Sequence, residues 1–277
     1  MSRHRLQYVA ATSSAVIDMD GASVYTQGGA AGIRGRNWAR ELGYRDLLQA
    51  NRPAREESLT VFMKPADADL FRKAADADVD ARKPGTLVFD GVWKQAAYIL
   101  ESSVKPQYSG VIANLTVALM DGGWHQVVSK SFMPRGDVPT YEYLDYPHDF
   151  AFDYGPIPDP EEVDTGMFQP APVRLTVYGP ATNPYIVVGG NRYEVNTNVP
   201  AGGYLVVDGL KMTIEVVTQN GTVADVFSAG ERGSGLGGGS YIFQPLPSGV
   251  LPVSWDGSFG FDLGWYDIET EPPWNRS

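Results

Sequence analysis

The second half of the sequence alternates short runs of β-branched and aromatic residues with glycine-containing turns. The runs recur about every ten residues with no helical period between them, a pattern typical of an antiparallel sandwich. Residues 167–277 are therefore predicted to form one β-sandwich domain. Its strands are predicted at residues 173–178, 185–188, 192–195, 204–207, 212–217, 223–227, 253–255 and 259–263.

Hairpin turns are predicted where Asp-Gly or Asn-Gly separates neighbouring runs, because these dipeptides readily adopt the positive φ angles of two-residue turns. The three dipeptides are Asp208-Gly209, Asn220-Gly221 and Asp256-Gly257. The last is predicted to pair residues 253–255 with residues 259–263.

The first half is also mostly β. Leu115, Val117 and Leu119 alternate with polar or small residues, as in a strand with one buried face. Residues 87–89 are predicted to turn at Asp90-Gly91 into a further strand. Residues 1–140 are assigned to this first β-sandwich domain.

One helix is predicted over residues 66–80. Pro65 is favoured at the start of a helix, and Asp67 is placed to cap it or to meet the positive end of its dipole. The residues predicted on its buried face are Leu70, Phe71 and Ala74.

Two segments depart from the strand pattern. Residues 28–58 are predicted to form a long arm or loop of the first domain. Residues 141–166 are predicted to form a stiff, self-repelling connector, since residues 142–164 contain eight carboxylates and four prolines, and no Lys or Arg lies between Arg135 and Arg174. The aromatic residues of this connector indicate that its first part lies against a surface of its own domain or of a neighbouring copy. The arm carries Arg34, Arg36, Trp38, Arg40, Arg45, Arg52 and Arg55.

The composition narrows the classes of function. The chain has 277 residues, a formal net charge of −11 and no cysteine. The acidic balance argues against a general binder of nucleic acid or anionic membranes, because both need concentrated Lys and Arg. Disulfides and thiolate metal sites are excluded, and no run of about 18 apolar residues is present. We expect no membrane partner, no sequence-specific nucleic-acid partner, and neither secretion nor membrane insertion.

Residues 233–238, Gly-Ser-Gly-Leu-Gly-Gly, match the G-x-G-x-x-G pattern of dinucleotide-binding turns. Such a turn holds a pyrophosphate only when it opens a helix whose N–H groups face the anion. Residues 241–247 follow instead, with two aromatic residues and two prolines, and predict a strand. We expect a loop between strands and no cofactor.

Acidic residues offer the other candidate chemistry. Asp76, Asp78 and Asp80 begin like a calcium loop, but Ala81 and Leu87 stand where such a loop needs Gly and a bidentate Glu. We expect an acidic helix end that faces solvent. The connector carboxylates lack a rigid scaffold that would shift their pKa values for acid/base work. No catalytic, cofactor-binding or metal-binding residue is predicted, and the arm's arginines are expected to contact an acidic partner or an adjacent copy.

Residues 173–184, Val-Arg-Leu-Thr-Val-Tyr-Gly-Pro-Ala-Thr-Asn-Pro, resemble the C-terminal domain of distal tail (Dit) proteins of long-tailed, siphophage-type bacteriophages. The resemblance extends over nearly the whole chain and is weakest before Leu59. Further segments that carry it are residues 186–195, 203–209 (Gly-Tyr-Leu-Val-Val-Asp-Gly), 239–249, 253–255, 271–274 (Glu-Pro-Pro-Trp) and 146–150 (Tyr-Pro-His-Asp-Phe).

The resemblance implies a structural protein and no enzyme. Its first domain would be built like a tail-tube subunit with one flanking helix, and its second would be a galectin-like sandwich. Copies would close into a ring, usually a hexamer, at the distal end of the virion tail after synthesis in the host cytoplasm. The implied partners are the tail tube protein, the tail-associated hub protein, the tape measure protein and, in some phages, receptor-binding proteins. Another minor tail protein beside the ring is the alternative within this class.

A galectin-like shape also raises the alternative of a carbohydrate-binding accessory module. Sugar-binding galectins carry H-x-N-P-R, and here Asn183-Pro184 is flanked by Ala181 and Tyr185 in place of the histidine and the arginine. We expect Asn183-Pro184 to set a turn. A lectin function predicts saturable glycan binding that is lost on altering an aromatic residue such as Trp255 or Tyr185.

Overall fold

The computed structural model describes residues 4–26, 31–35, 38–135 and 161–273. The chain divides into two compact units, one of residues 1–126 with 268–277 and one of residues 127–267. Both units are built from antiparallel strands, and the described residues contain one long helix. The predicted mainly β fold class is confirmed.

The first unit is built on one antiparallel sheet. Its strands are β1 Leu6–Val9, β2 Val16–Asp18, β3 Val24–Thr26, β4 Ala39–Leu42, β5 Leu47–Asn51, β6 Arg55–Met63, β7 Gly85–Phe89, β8 Trp93–Gln107 and β9 Gly110–Leu119. The main sheet has the order β2-β1-β7-β8-β9-β6-β3, while β4 and β5 form a separate hairpin. Alternate residues of β6 and β9 are buried, so one face of these strands forms the core.

Helix α1 spans Ala31–Arg34, and the long helix α2 spans Pro65–Asp80. Helix α2 confirms the predicted helix, with proline in its first turn. Its buried residues are Phe71, Ala74, Ala75 and Asp78, a spacing that places them on one helical face. The prediction that Leu70 belongs to this face is wrong, because Leu70 is 52% exposed. Asp67 lies in the first turn, but no side chain makes a capping hydrogen bond to the helix start.

The second unit contains two larger antiparallel sheets. Its elements are β11 Glu161–Asp164, β12 Val173–Tyr178, β13 Ala181–Thr182, β14 Tyr185–Val188, β15 Asn191–Glu194, β16 Asn198–Val199, β17 Tyr204–Asp208, β18 Thr213–Val217, β19 Val223–Asp225, a 3-10 helix Phe227–Ala229, and β20 Val250–Ser254. The division between the units falls within the two remaining strands, β10 Trp124–Phe132 and β21 Phe261–Glu269.

One core fills the second unit. The first sheet has the order β19-β18-β17-β12-β21-β10, and the second has the order β11-β20-β14-β15. Alternate apolar residues of both sheets belong to the same buried cluster, which is the arrangement of a β-sandwich. Aromatic rings contribute to it, with the Phe132 and Phe261 centroids 4.7 Å apart in a stacked arrangement.

The predicted turn at Asp90-Gly91 is confirmed by the pairing of β7 with β8. Of the three hairpins predicted in the second half of the chain, two are confirmed. β17 pairs with β18 across the Asp208-Gly209 turn, and β18 pairs with β19 across the Asn220-Gly221 turn. The first turn is longer than the predicted two residues: the N–H groups of Leu210 and Lys211 both donate to Asp208 Oδ1 at 3.0 Å.

The third predicted hairpin is wrong. β20 pairs with β11 and β14, whereas β21 pairs with β12, so the Asp256-Gly257 turn connects two different sheets. Within this connection the buried Trp255 donates its Nε1–H to the carbonyl of Phe259 at 3.0 Å. The turn dipeptide gives the chain the same local geometry in either case, so it does not distinguish a hairpin from a connection between sheets.

The predicted strand at residues 241–247 is also wrong. These residues form turns and one isolated bridge, between Ala171 and Leu246. Ile242, Phe243 and Leu246 are nevertheless buried in the core of the second unit. Apolar content therefore predicts their burial but not their backbone conformation.

Candidate interaction surfaces

The hairpin of β4 and β5 presents a cluster of exposed apolar side chains. Every strand residue of this hairpin is exposed. Within the described residues, β4 and β5 pair only with each other, and an isolated two-stranded sheet is marginally stable in water. Large exposed apolar patches mark interaction sites. We call Leu42, Tyr44, Leu47 and Leu48, which are 65%, 93%, 60% and 61% exposed, the hairpin patch.

The hairpin patch is bordered by cations. The guanidinium of Arg45 lies 5.1 Å from the ring centroid of Tyr44, and that of Arg52 lies 5.3 Å from the ring of Trp38. Cation–π contacts of this kind hold both partners in defined positions at an exposed surface. The hairpin is therefore a slightly basic surface on an acidic chain, and two of its arginines are held against aromatic rings.

Two arginines of the predicted arm have structural contacts instead of lying on the exposed hairpin. Arg34 is only 2% exposed and donates to the carbonyl oxygens of Pro272 and Pro273 at 2.5 and 2.7 Å. Its guanidinium lies 4.8 Å from the ring centroid of Phe89. Arg55 donates to the Gly35 carbonyl. The expectation that these two residues contact an acidic partner is wrong, because both lie in contacts within the first unit. Arg36 lies outside the described residues.

A cavity of about 450 Å³ opens on the second unit. Three segments line it: the end of β10, the turn after β12 and the start of β21. Asp262 lies in this cavity, where its Oδ2 accepts a hydrogen bond of 2.5 Å from the Tyr178 hydroxyl and its Oδ1 accepts one of 2.6 Å from Ser131 Oγ. Exposed apolar side chains stand beside it, including Met133 at 77% exposure. We call this the Asp262 cavity.

The carboxylate of Asp262 controls the ionisation of its neighbour. The hydrogen bond from Tyr178 to Asp262, together with burial, raises the pKa of the Tyr178 hydroxyl to about 12. Tyr178 therefore stays a neutral hydrogen-bond donor near neutral pH, and the ring is held at the cavity wall. The sequence gives no signal for this pair, because the two residues are 84 positions apart and the 173–184 segment that contains Tyr178 does not indicate a partner for its hydroxyl.

Two aromatic residues that a carbohydrate site could use, Trp255 and Tyr185, make contacts within the chain. Trp255 is 6% exposed and packs edge-on against Phe261, with centroids 5.1 Å apart. The Tyr185 ring is covered by the guanidinium of Arg192 at 3.7 Å. Trp255 is therefore closed to a sugar, and one face of the Tyr185 ring is already taken. Asn183 has a φ of 47° and lies in the turn before β14, as predicted for a turn-setting residue.

The glycine-rich residues 233–238 form turns, with no helix after them. Gly233 and Gly235 adopt φ angles of 43° and 94°, and the Gly233 N–H donates to the Glu231 carboxylate at 2.8 Å. A carboxylate at this position repels an anion such as pyrophosphate. The expectation that these residues form a loop between strands is confirmed.

Asp78 corrects the expectation of a solvated acidic helix end. Its side chain is fully buried, and it accepts hydrogen bonds from the Tyr8 hydroxyl at 2.7 Å and from the N–H groups of Ala11 and Thr12 at 3.0 and 2.8 Å. Asp76 does face solvent and pairs with Arg72. Asp78 is turned inward because it occupies the same helical face as Phe71 and Ala74.

The predicted connector lies mostly in residues 141–160, outside the described residues. Its last part, Glu161–Asp164, is strand β11 and pairs with β20. Within the described ranges, no three His, Asp or Glu side chains group closely enough to hold a metal ion. The part of the chain that the structure describes also has no helix of the length and hydropathy needed to cross a bilayer.

No protein-family model matches this chain, and no curated protein matches its sequence. Solved structures do match its fold. A chain of the phage P2 baseplate in its activated conformation with Ca gives a TM-score of 0.63 at 10% identity, covering 98% of this chain and 100% of that chain. The same baseplate with Sr gives 0.62 at 9% identity with the same coverage. SPP1 Dit, described as a paradigm of the hub adsorption apparatus in phages that infect Gram-positive bacteria, gives 0.50 at 9% identity, covering 96% and 100%.

The chain therefore has the fold of phage distal tail proteins, as the resemblance in its sequence predicts. The match extends over the full length of each neighbour, so both units take part in it. At identities this low the likeness describes the fold.

Proposed function

We propose that this protein is a structural component of a phage tail tip, a distal tail protein that acts through repeated interfaces. The observation that carries the proposal is the match in fold over 98% of this chain to the whole of a baseplate chain. A match over both units is more specific than a match of one sandwich, because single β-sandwiches occur in many unrelated functions.

Copies of the chain are proposed to close into a ring of six. The hairpin patch supports this, since four large apolar side chains exposed on a two-stranded hairpin are stabilised when a neighbouring copy covers them. In a closed symmetric ring, every copy buries this surface against a neighbouring copy, so none is left exposed to water. The first unit is proposed to be tail-tube-like and to form the ring, and the second is proposed to be galectin-like.

The ring is proposed to lie at the distal end of the virion tail, after synthesis of the chain in the host cytoplasm. Its neighbours there would be the tail tube protein, the tail-associated hub protein, the tape measure protein and receptor-binding proteins. This function needs no catalytic residue and no cofactor. The buried Trp255 and the covered Tyr185 disfavour the alternative of a carbohydrate-binding module that uses those rings.

Electron microscopy of the purified full-length protein tests the proposal. The expected result is closed rings with a central opening and sixfold symmetry in class averages. Fields that contain only separate particles of the 30.1 kDa chain at every concentration would contradict a self-closing ring.

A further inference from the structure

The Asp262 cavity has the size and lining of a ligand site. Its volume of about 450 Å³ falls within the range of small-molecule pockets, and such pockets combine apolar walls with a few polar groups. Its lining includes Met133, Pro134, Tyr178, Pro180, Phe261 and Asp262. All of these residues belong to the second unit.

Among the described residues, the carboxylate of Asp262 has hydroxyl partners and no cationic one. Its two hydrogen-bond donors, Tyr178 and Ser131, are neutral hydroxyls, and within the described residues Asp262 makes no ion pair. The two basic residues that flank the end of β10 are committed elsewhere. Lys130 donates to the carbonyl of Glu162 at 2.6 Å, and the guanidinium of Arg135 lies 4.4 Å from the ring centroid of Trp255.

A second place in the same unit shows what completes such an arrangement. On β14 and β15, Glu194 and the Tyr185 ring hold the guanidinium of Arg192, which donates through Nε to Glu194 at 2.6 Å and lies 3.7 Å from the ring centroid. The Asp262 cavity has a carboxylate and a tyrosine ring too, but within the described residues no guanidinium or ammonium lies over Tyr178. The cavity therefore offers the anionic and aromatic parts of a cation site without the cation.

The walls of the cavity suit the aliphatic part of a basic group. Met133 and Tyr178 are 77% and 45% exposed, and prolines at 134 and 180 add rigid apolar surface. Long basic side chains bury their methylene stems along apolar surface while the charged end meets a carboxylate or an aromatic face. The hydrogen bond to Asp262 fixes the Tyr178 ring before any ligand arrives.

We propose that the Asp262 cavity binds a guanidinium or alkylammonium group carried on an aliphatic stem, as in an arginine or lysine side chain or a free organic amine. This proposal does not depend on ring formation. Carboxylate, aromatic ring and apolar walls together select a cation over a neutral group of the same shape.

The test is isothermal titration of the full-length protein with butylguanidinium, with butylurea as its neutral isostere. We expect saturable binding of butylguanidinium, at least about tenfold weaker binding of butylurea, and an apparent Kd for butylguanidinium that rises with ionic strength. Asp262→Asn should weaken butylguanidinium binding by about tenfold or more. Asp225→Asn is the matched control, since Asp225 is an exposed carboxylate of the same unit on β19, and binding should be unchanged.

The source of the cation is distinguished by a second ligand, the peptide Gly-Gly-Arg-Gly-Gly. Tighter binding of the peptide than of butylguanidinium assigns the cavity to a protein partner, and weaker binding assigns it to a free organic cation. Equal binding of butylurea and butylguanidinium would overturn the proposal, as would no saturable binding of either. If Asp262→Asn does not fold, the ionic-strength dependence in the wild-type protein decides, and a Kd that is independent of salt overturns the proposal.

Discussion

The hydroxyl of Tyr8 on β1 donates a hydrogen bond of 2.7 Å to the buried carboxylate of Asp78 on α2, 70 residues later in the chain. The same carboxylate accepts the N–H groups of Ala11 and Thr12. One side chain thus satisfies three donors and fixes the end of β1 and the following turn to the helix. Removing it leaves the buried Tyr8 hydroxyl without an acceptor, which costs more than that hydrogen bond itself contributes.

Asp78→Ala is therefore expected to lower the free energy of unfolding by roughly 2–4 kcal/mol. Urea unfolding followed by tryptophan fluorescence measures this change. The control is Asp76→Ala on the same helix, whose exposed carboxylate pairs with Arg72 and should contribute less than about 0.5 kcal/mol. Equal losses for the two variants would contradict the role assigned to Asp78.

The same residue gives an expected pH dependence. Burial alone would raise the pKa of Asp78, but the hydrogen bonds from Tyr8, Thr12 and Ala11 outweigh burial and hold this pKa below its usual range. A depressed folded-state pKa means that the stabilisation is present above the unfolded-state pKa and is lost as pH falls through the folded-state pKa. The stability gap between wild type and Asp78→Asn should therefore narrow below about pH 4. A series of thermal melts from neutral to acidic pH measures this stability difference. A difference that widens toward low pH would contradict a depressed pKa for Asp78.

Arg34 is expected to hold the segment after β21 to the first unit. Its guanidinium donates to two carbonyls, those of Pro272 and Pro273, and stacks on Phe89. Both hydrogen bonds leave the same Nη2, at the far end of a planar guanidinium that lies over the Phe89 ring. Lysine keeps the charge but is shorter and has no planar group to lie on that ring, so Arg34→Lys should cost roughly 1–3 kcal/mol of stability. Arg72→Lys, at an exposed position, is the control and should be nearly neutral. Limited proteolysis near the C-terminus should be faster in Arg34→Lys only, and unchanged cleavage would argue against this role.

The hairpin patch gives a prediction on assembly. Tyr44→Ser combined with Leu47→Ser should lower the average mass of the assembled protein at a given concentration, because an apolar contact between copies is lost. The melting temperature of dilute, dissociated protein should change by less than about 2 °C, since both side chains are exposed in the single chain. Phe168→Ser, which removes an aromatic residue exposed on the second unit, is the control. An unchanged mass for the double variant would show that the copies do not contact each other through the hairpin patch.

Local signals in the sequence predicted local structure well. Asn220-Gly221 marked the β18–β19 hairpin, and the apolar spacing after Pro65 marked α2. The same signals failed where the choice depended on distant partners. Asp256-Gly257 connects two sheets, because β20 and β21 each find a better partner elsewhere in the sandwich. Turn chemistry fixes a local reversal of the chain but not the sheet that each strand joins.

The candidate sites depended still more on tertiary structure. Asp78 was assigned to solvent because its neighbours in sequence are acidic, whereas its helical face and the donors on Tyr8, Ala11 and Thr12 decide its burial. Asp262 and Tyr178 come together only when β12 and β21 pair. The arm predicted at residues 28–58 contains the β4–β5 hairpin, whose strand pairing and exposed leucines no sequence signal indicates, while its last residues, Arg55 to Ser58, belong to β6 and pair with β9.

The mass of the purified full-length protein in solution, measured by light scattering coupled to size exclusion over a range of concentrations, tests the central claim most directly. A closed ring of six 30.1 kDa chains predicts a discrete species of about 180 kDa that persists on dilution. A mass of one chain at every concentration would contradict the claim that copies of this protein close a ring without other tail proteins.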